Sequence, residues 1–99
     1  MKKIFVFIGK PMTGKSTLAN MCRNENTKIF DEINLSRCEC RFLIQDIKRG
    51  RIDCDPYKGW KTYDNYILVC HNENSENLLN ELAILKNDFN ISVVRFEQL

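Results

Sequence analysis

The chain has 99 residues, of which 43% are hydrophobic and 28% are charged, proportions that are typical of one globular domain. This length excludes a large multidomain enzyme, and we expect a single domain over residues 1–99. Fifteen basic residues against thirteen acidic residues give a net charge of +2, which is too small by itself to indicate nucleic-acid binding.

The five cysteines indicate a reducing compartment, because an odd number without a secretory signal argues against a disulfide framework. The spacing of Cys38, Cys40, Cys54 and His71 matches none of the common zinc patterns. The apolar run after Lys3 is too short for a signal peptide, and no stretch approaches the length of a membrane span. We therefore expect an intracellular, soluble protein with no membrane partner.

The first predicted element is a strand at Lys3–Ile8, an unbroken apolar run of the kind buried on both faces of a parallel sheet. A loop at Gly9–Gly14 leads to a helix predicted at Lys15–Arg23. A second strand is predicted at Lys28–Ile33. Three residues are expected on the buried side of that helix: Leu18, Ala19 and Cys22.

The middle of the chain is predicted to hold a second helix and a third strand. Asn34 is predicted to cap a helix over Leu35–Arg49, which Gly50 ends. Residues 51–64 are polar and rich in turn formers, which predicts a loop or a hairpin. Tyr66–Cys70 is predicted to be a third buried strand.

A last helix and a last strand complete the pattern. Asn74 or Ser75 is predicted to cap a helix that runs to about Lys86, and Ile91–Phe96 is predicted to be the final strand. Four leucines are expected on one face of this helix: Leu78, Leu79, Leu82 and Leu85. Because strands and helices alternate, we expect a three-layer α/β fold in which a mostly parallel sheet of about four strands is flanked by helices.

The most specific motif is Gly-Lys-Pro-Met-Thr-Gly-Lys-Ser-Thr at residues 9–17, which matches the phosphate-binding loop G-x-x-x-x-G-K-[ST] at every required position. Gly9 and Gly14 permit backbone angles that other residues resist, so that the loop can wrap its N–H groups around a phosphate at a helix N-terminus. Lys15 is predicted to reach the β- and γ-phosphates, and the Ser16 hydroxyl to bind Mg²⁺. Nine residues are therefore predicted to bind ATP or another nucleoside triphosphate: Gly9, Lys10, Pro11, Met12, Thr13, Gly14, Lys15, Ser16 and Thr17.

Two acidic residues, Asp31 and Glu32, come at the end of the second predicted strand. One interpretation makes Asp31 a residue that holds Mg²⁺ through water and Glu32 the general base that activates the attacking water. Another interpretation is an acidic helix start, because carboxylates favour helix N-termini. The short interval after Lys15 fits a chain that skips one strand, and it also fits a small nucleotide kinase whose acids contact the acceptor.

The third predicted strand runs into His71 and Asn72. A polar amide at the carboxyl edge of a parallel sheet lies beside a bound nucleotide, so Asn72 is a candidate to contact the γ-phosphate or to orient water. The alternative is a turn residue, because Asn is common after strands. His71 is expected to be a neighbour of the site rather than a catalyst.

Taken in order, Gly9–Ser16, Phe30–Glu32 and Ile67–Asn72 resemble the three motifs of superfamily 3 helicase domains, which belong to replication proteins of small DNA viruses and picornavirus-like RNA viruses. The stretch from Leu43–Gly50 through Tyr57–Lys61 is similar to the replication initiators of circular single-stranded DNA viruses. Those proteins place a helix, a polar stretch and a Lys-Gly hairpin before the strand that carries the sensor Asn.

This resemblance implies a P-loop NTPase of the AAA+ kind, with Mg²⁺ and with Lys15, Glu32 and Asn72 as catalytic residues. It implies hydrolysis of ATP, movement on single-stranded nucleic acid, and assembly into a homo-oligomeric ring or with a larger replication partner of viral or plasmid type. For a virus of eukaryotes it implies the host nucleus in place of the cytoplasm. Family members carry an arginine just before the last strand, whereas Lys86–Asn90 contains none.

Basic and aromatic residues are interleaved between the second predicted helix and the third strand, a combination that suits backbone contact and base stacking. The candidates for nucleic-acid binding are Lys48, Arg49, Arg51, Lys58, Trp60 and Lys61. Arg37 and Arg41 lie four apart on one helix face and extend this set. The alternative is a solvated basic loop with one anchoring aromatic side chain.

Two further functions fit the same phosphate-binding loop. One is a small nucleotide or nucleoside kinase, in which Asp31 or Glu32 faces an acceptor hydroxyl. The other is a regulatory module that binds nucleotide without turnover, which the short chain favours.

Overall fold

The computed structural model describes residues 2–10, 13–33, 36–71 and 75–96, with the backbone alone at Glu32 and Arg37. In these residues a strand and a helix alternate along the chain, except where a hairpin follows the second helix. The elements are β1 Lys2–Gly9, α1 Lys15–Met21, β2 Thr27–Ile33, α2 Arg37–Arg49, β3 Asp53–Asp55, β4 Gly59–Lys61, β5 Asn65–Cys70, α3 Ser75–Leu82, a 3₁₀ turn Ala83–Leu85, and β6 Phe89–Phe96.

Four of these strands form one sheet in the order β2-β5-β1-β6, and every neighbouring pair is parallel. In the register of the sheet, Ile4 of β1 lies opposite Tyr66 of β5 on one side and Ile91 of β6 on the other. The predicted α/β fold, with a mostly parallel sheet of four strands flanked by helices, is therefore confirmed. Because all four strands are parallel, their carboxyl ends meet at one edge of the sheet, where ligands bind in open α/β sheets.

Alternate residues of β1 lie on opposite faces of the sheet, as the two-residue period of a strand requires. Ile4, Val6 and Ile8 belong to the larger core cluster, which the leucines of α3 and the isoleucines of α2 complete. Phe7 belongs to a second cluster that packs around Ala19 of α1. The sheet is thus covered by α2 and α3 on one face and by the short α1 on the other.

The start of α2 differs from the prediction. Ser36 caps this helix, because its Oγ accepts a hydrogen bond from the Glu39 amide at 3.3 Å and donates to the Glu39 carboxylate at 2.9 Å. The bond from the Glu39 amide satisfies a helix N–H group that would otherwise have no partner, and the bond to the Glu39 carboxylate orients the Ser36 hydroxyl. The predicted cap at Asn34 is wrong, and Asn34 itself lies outside the described residues. The predicted end at Gly50 is confirmed, since Gly50 adopts a left-handed backbone with φ +70°.

The buried side of α1 is narrower than predicted. Ala19 is buried, but Leu18 is 37% exposed and Cys22 is exposed, so two of the three residues expected on this side face solvent. Lys15 and Ala19 are the buried residues of the helix, and positions four apart lie on one helix face. The side chain of Lys15 turns inward, whereas Leu18, on the edge of the same face, is partly exposed. The helix also ends at Met21, two residues earlier than predicted.

Residues 51–64, for which the sequence left a loop or a hairpin open, contain a hairpin. β3 and β4 pair antiparallel, with Cys54 opposite Trp60, and they form a separate two-stranded sheet. The turn is built by Asp55, whose Oδ1 accepts hydrogen bonds from the amides of Tyr57 at 2.8 Å and Lys58 at 3.3 Å. Gly59 follows with φ +81°, a conformation that glycine adopts without strain.

The last helix agrees closely with its prediction. Leu78, Leu82 and Leu85 are fully or almost fully buried, and Leu79 packs against the same cluster. The helix begins at Ser75, whereas Asn74, the other candidate cap, lies outside the described residues. Over the residues that the structure describes, no helix is long and apolar enough to cross a membrane.

Candidate nucleotide-binding site

The phosphate-loop motif connects the central strand β1 to α1. Gly9 is the last residue of β1 and Lys15 is the first residue of α1. Pro11 and Met12, which are predicted to contact the nucleotide, lie outside the described residues. The loop therefore leaves the sheet at its carboxyl edge, between the ends of β5 and β6.

The two motif glycines are required for different physical reasons. A Cβ on Gly9 would lie 2.8 Å from the carbonyl oxygen of Phe96 and 2.9 Å from its Cβ, because β6 runs directly alongside. Gly14 has open space around it, but its φ of +89° is a conformation that L side chains rarely adopt. Gly9 thus permits close packing of two strands, and Gly14 permits the bend into α1.

Lys15 is buried, with 4% of its surface exposed, and its ammonium group is held by the loop itself. Its Nζ donates to the carbonyl oxygen of Gly9 at 2.7 Å and to that of Lys10 at 2.6 Å. The Thr13 hydroxyl donates to the same Lys10 carbonyl at 2.9 Å. A buried ammonium is tolerated only when it is hydrogen-bonded, so these carbonyls stabilise the curled loop around the lysine.

Ser16 and Asp31 lie together, although they come from different elements. The Ser16 hydroxyl at the start of α1 donates to Oδ1 of Asp31 at 2.7 Å. Asp31 belongs to the edge strand β2, which is separated from β1 by the whole of β5. A register shift between Phe30 and Ile33 interrupts the pairing of β2 at this point.

The alternative of an acidic helix start is wrong for both residues, because Asp31 and Glu32 lie within β2 and α2 begins only at Arg37. The side chain of Glu32, the predicted general base, is outside the described structure. Thr17, the last residue of the motif, is exposed on α1.

The pair of Ser16 and Asp31 offers a hydroxyl and a carboxylate oxygen, the ligand types that Mg²⁺ prefers. No group of three or more His, Cys, Asp or Glu side chains gathers around a metal position in the described ranges of the chain. Protein sites for Mg²⁺ commonly use one or two side-chain oxygens and leave the other positions to water and substrate phosphates. The residues present therefore fit Mg²⁺ that arrives with a nucleotide.

The end of β5 lies between the loop strand and the strand that carries Asp31. Cys70 is buried there, and burial raises the pKa of its thiol to about 11, while the charge of Lys15 acts in the opposite direction. A raised pKa disfavours the thiolate, which is the reactive form of cysteine. The Nδ1 atom of His71 is buried without a hydrogen-bond partner. Asn72, predicted to face the γ-phosphate, lies outside the described residues.

The predicted nucleic-acid residues are spread over the end of α2 and the hairpin. They lie at the last turn of α2 (Lys48 and Arg49), in the connection to β3 (Arg51), and in the hairpin (Lys58, Trp60 and Lys61). Tyr57 at the hairpin tip is 96% exposed and Trp60 is 51% exposed, so both rings are accessible to a base. Arg41, which was a candidate to extend the set, lies 3.6 Å from Glu81 of α3 and is paired there.

The base of the hairpin is attached to β2 through three residues that we call the hairpin anchor: Lys28, Asp53 and Tyr63. The Tyr63 hydroxyl donates to Asp53 Oδ2 at 2.5 Å, and Lys28 Nζ lies 3.0 Å from the same oxygen. These two donors lower the pKa of Asp53, and the bond to Asp53 raises the pKa of Tyr63 to about 12. No periodic pattern in the sequence indicates this cluster, because Asp53 lies 10 residues from Tyr63 and 25 residues from Lys28.

A cleft of about 430 Å³ opens beside the hairpin anchor, between β4 and the turn that joins α1 to β2. Three of its lining side chains are basic: Arg23, Lys28 and Lys61. Sequence reasoning included only Lys61 among them. Arg23 and Lys28 are near Lys61 because the hairpin folds back onto the start of β2. No local sequence pattern indicates this contact.

No protein-family model, no curated protein and no solved structure matches this chain.

Proposed function

We propose that this protein binds a nucleoside triphosphate with Mg²⁺ and hydrolyses it, as a helicase-like domain of a viral or plasmid-type replication protein that acts on single-stranded nucleic acid. The observation that carries the proposal is the 2.7 Å hydrogen bond between Ser16 and Asp31. In P-loop NTPases a serine or threonine of the loop and a carboxylate from another strand hold the metal ion, and the pair of Ser16 and Asp31 supports the same role here. The parallel sheet with the loop at its carboxyl edge supports a P-loop architecture.

In this proposal, Lys15 is the main cation for the β- and γ-phosphates. Its ammonium donates to two loop carbonyls. Phosphate oxygens are stronger acceptors than carbonyl oxygens and would accept hydrogen bonds from the same ammonium. The amides of residues that follow Gly9 would cradle the phosphates. Bound Mg²⁺ would neutralise the developing charge on the phosphates. Ser16 and Asp31 would hold and orient it.

The roles of Glu32 as general base and Asn72 as the contact to the γ-phosphate rest on motif position alone. Glu32 lies near the carboxyl end of β2, and Asn72 comes two residues after the last residue of β5; the carboxyl ends of these strands share an edge with the loop. The bond from Ser16 to Asp31 favours a metal role for Asp31 over contact with an acceptor hydroxyl, because the carboxylate is directed to the loop helix. This orientation favours hydrolysis over the small-kinase alternative.

For nucleic acid, the proposal rests on the hairpin. Its tip presents the exposed ring of Tyr57, and Trp60 and Lys61 follow on the next strand. Aromatic rings that stack on bases beside cations that contact phosphates are typical of single-strand binding. Assembly into a ring or with a larger replication protein belongs to the same proposal.

The test compares wild-type protein with Lys15→Met and with Lys86→Met, an exposed lysine that serves as the matched control. Binding of Mg·ATP is measured by titration calorimetry. We expect Lys15→Met to lose about tenfold or more in affinity, as removal of a charge-assisted hydrogen bond implies. Lys86→Met should bind like wild type. Equal affinity of Lys15→Met and wild type would overturn nucleotide binding at this loop.

Release of phosphate is then followed with and without a single-stranded oligonucleotide. Stimulated release supports the helicase-like function. Transfer of the phosphate to a nucleoside acceptor would identify a kinase instead. Binding without turnover would identify a nucleotide-binding module.

A further inference from the structure

Among the described residues, the hairpin formed by β3 and β4 has no strand pairing with the main sheet, since β3 and β4 form a separate two-stranded sheet. A two-stranded hairpin is marginally stable by itself, so its orientation depends on side chains at its base. Among these is Asp53, whose carboxylate binds Lys28 of β2 and the hydroxyl of Tyr63. Tyr63 is itself buried, at 7% exposure, and its ring packs edge-on against Tyr66 of β5.

The strand that receives this attachment also carries the metal-site carboxylate. Lys28 and Asp31 are three residues apart on β2, or about 10 Å along an extended strand. At one position β2 is bonded to the hairpin through Asp53, and at the other it is bonded to Ser16 of the phosphate loop helix. A displacement of the hairpin base is therefore passed along one strand to the proposed metal site.

A side chain of the hairpin links this attachment to a bound polynucleotide. The Lys61 ammonium lies 5.0 Å from the centre of the Tyr63 ring, in a cation–π contact. Lys61 also lines the basic cleft beside β2. A phosphate group that binds Lys61 competes with the Tyr63 ring for the same cation, and so alters the surroundings of the bond between Tyr63 and Asp53.

We infer that Lys28 and Asp53 are positioning residues that transmit the binding of single-stranded nucleic acid at the hairpin to the nucleotide site. This inference rests on the proposed function. It assigns to the hairpin anchor a role separate from contact with either ligand. A misplacement of about 1 Å in a catalytic group is enough to change a rate by a large factor, so a small movement of β2 suffices.

The test uses Lys28→Met, Asp53→Asn and the exchanged double variant Lys28→Asp with Asp53→Lys, with Lys86→Met and Asp88→Asn as exposed controls. Nucleotide hydrolysis is measured with and without a single-stranded oligonucleotide, and oligonucleotide affinity is measured by fluorescence anisotropy. We expect the basal rate to stay at the wild-type value in all variants. Stimulation is compared at saturating oligonucleotide, because Lys28 also lines the basic cleft and its loss can weaken oligonucleotide binding. We expect stimulation to fall about fivefold in both single variants, which corresponds to the upper range of the interaction free energy of a partly exposed ion pair. We expect stimulation to return in the exchanged variant. A thermal melt identifies any variant that fails to fold. If Asp53→Asn or the exchanged variant does not fold, the result for Lys28→Met decides the inference.

The outcomes separate this inference from the proposed function. Full stimulation of Lys28→Met overturns the inference alone, and so does a loss of stimulation that merely follows a loss of oligonucleotide affinity. A wild-type protein whose hydrolysis does not respond to any single-stranded oligonucleotide overturns both the inference and the nucleic-acid part of the proposed function. A loss of stimulation at saturating oligonucleotide with an unchanged basal rate, restored by the exchanged variant, supports the inference. The exchange re-forms the ion pair between positions 28 and 53, whereas a general loss of structure would lower the basal rate as well.

Discussion

Gly9 and Phe96 end neighbouring strands, and they approach so closely that a methyl group on Gly9 would lie 2.8 Å from the Phe96 carbonyl oxygen. The Phe96 ring also packs edge-on against Phe7, at 5.5 Å between ring centres. The phosphate loop is thus positioned in part by β6, the strand at the edge of the sheet. A side chain at residue 9 would therefore collide with the backbone of Phe96.

The first prediction follows from this contact. Gly9→Ala should lower the free energy of unfolding by about 1–3 kcal/mol, the range for overpacking, and should also weaken nucleotide binding because the loop must shift. Urea unfolding and calorimetry measure the two effects. Gly50→Ala is the control, since its φ of +70° is strained by alanine but it lies at the far end of α2. It should lose stability without losing nucleotide affinity. If Gly9→Ala binds nucleotide like wild type, β6 does not position the loop.

The second prediction concerns the metal ion. Asp31→Asn retains an oxygen that can accept from Ser16 but removes the negative charge, so the fold should persist while Mg²⁺ affinity in the presence of ATP falls about 10- to 100-fold. Titration of Mg²⁺ at fixed ATP measures this change. Asp88→Asn removes an exposed acid elsewhere and should leave the titration unchanged. An unaltered Mg²⁺ titration in Asp31→Asn would exclude this carboxylate from the metal site.

The third prediction is a pH dependence of stability that arises in the hairpin anchor. In the folded protein the pKa of Asp53 is lowered from 3.8, first by the hydrogen bond from Tyr63. The contribution of Asp53 to the free energy of unfolding is therefore present above pH 3.8 and is lost as the pH falls below that value. The folded pKa of Tyr63 is raised from 10.0 to about 12, so its contribution is present below pH 10 and is lost as the pH rises from 10 through 12. Between these limits the anchor should be insensitive to pH.

Urea unfolding at a series of pH values measures this profile. In Tyr63→Phe both the acid and the alkaline declines should become smaller, because one hydrogen bond produces both shifts. Part of the alkaline decline should remain, since burial also raises the pKa of Tyr66. Tyr57→Phe, at the exposed hairpin tip, should leave the profile as it is in wild type. Identical profiles for wild type and Tyr63→Phe would contradict the prediction.

The fourth prediction tests base stacking at the hairpin. Trp60→Ala and Tyr57→Ala should each weaken binding of a single-stranded oligonucleotide about tenfold, as the loss of one stacked base implies. Trp60 is the single tryptophan of the chain, so quenching of its fluorescence reports binding directly in the other variants. Phe42→Ala removes an exposed ring from α2 and should have no effect. Equal loss in Phe42→Ala would mean that oligonucleotides bind through apolar surface without a defined site.

The sequence predicted the sheet and its helices well, because each depends on local pattern. The unbroken apolar runs, such as the one from Ile4 to Ile8, identify buried parallel strands, and the leucine spacing identifies α3. The phosphate-loop motif could be identified because it lies in nine consecutive residues. Asp31 was a candidate because it lies at the end of a predicted strand, and its carboxylate accepts a hydrogen bond from Ser16 of that motif.

The features that the sequence did not predict depend on contacts between distant segments or on a single side chain that departs from the hydrophobic pattern. Lys15 turns inward because loop carbonyls accept hydrogen bonds from its ammonium group, and Leu18 is 37% exposed despite its hydrophobic character. The cap of α2 moved to Ser36 because Glu39 completes a reciprocal pair with it. The link from Asp53 to β2 joins segments 25 residues apart, which no local periodicity encodes.

The bonds from Lys15 to the carbonyls of Gly9 and Lys10 also determine how tightly any ligand can be held. These two carbonyl oxygens occupy the ammonium group in the place that oxygens of an anionic ligand would take. The affinity for a ligand then depends on how much better its oxygens accept from the ammonium than the two carbonyls do. A ligand with poor acceptor oxygens cannot displace the carbonyls of Gly9 and Lys10.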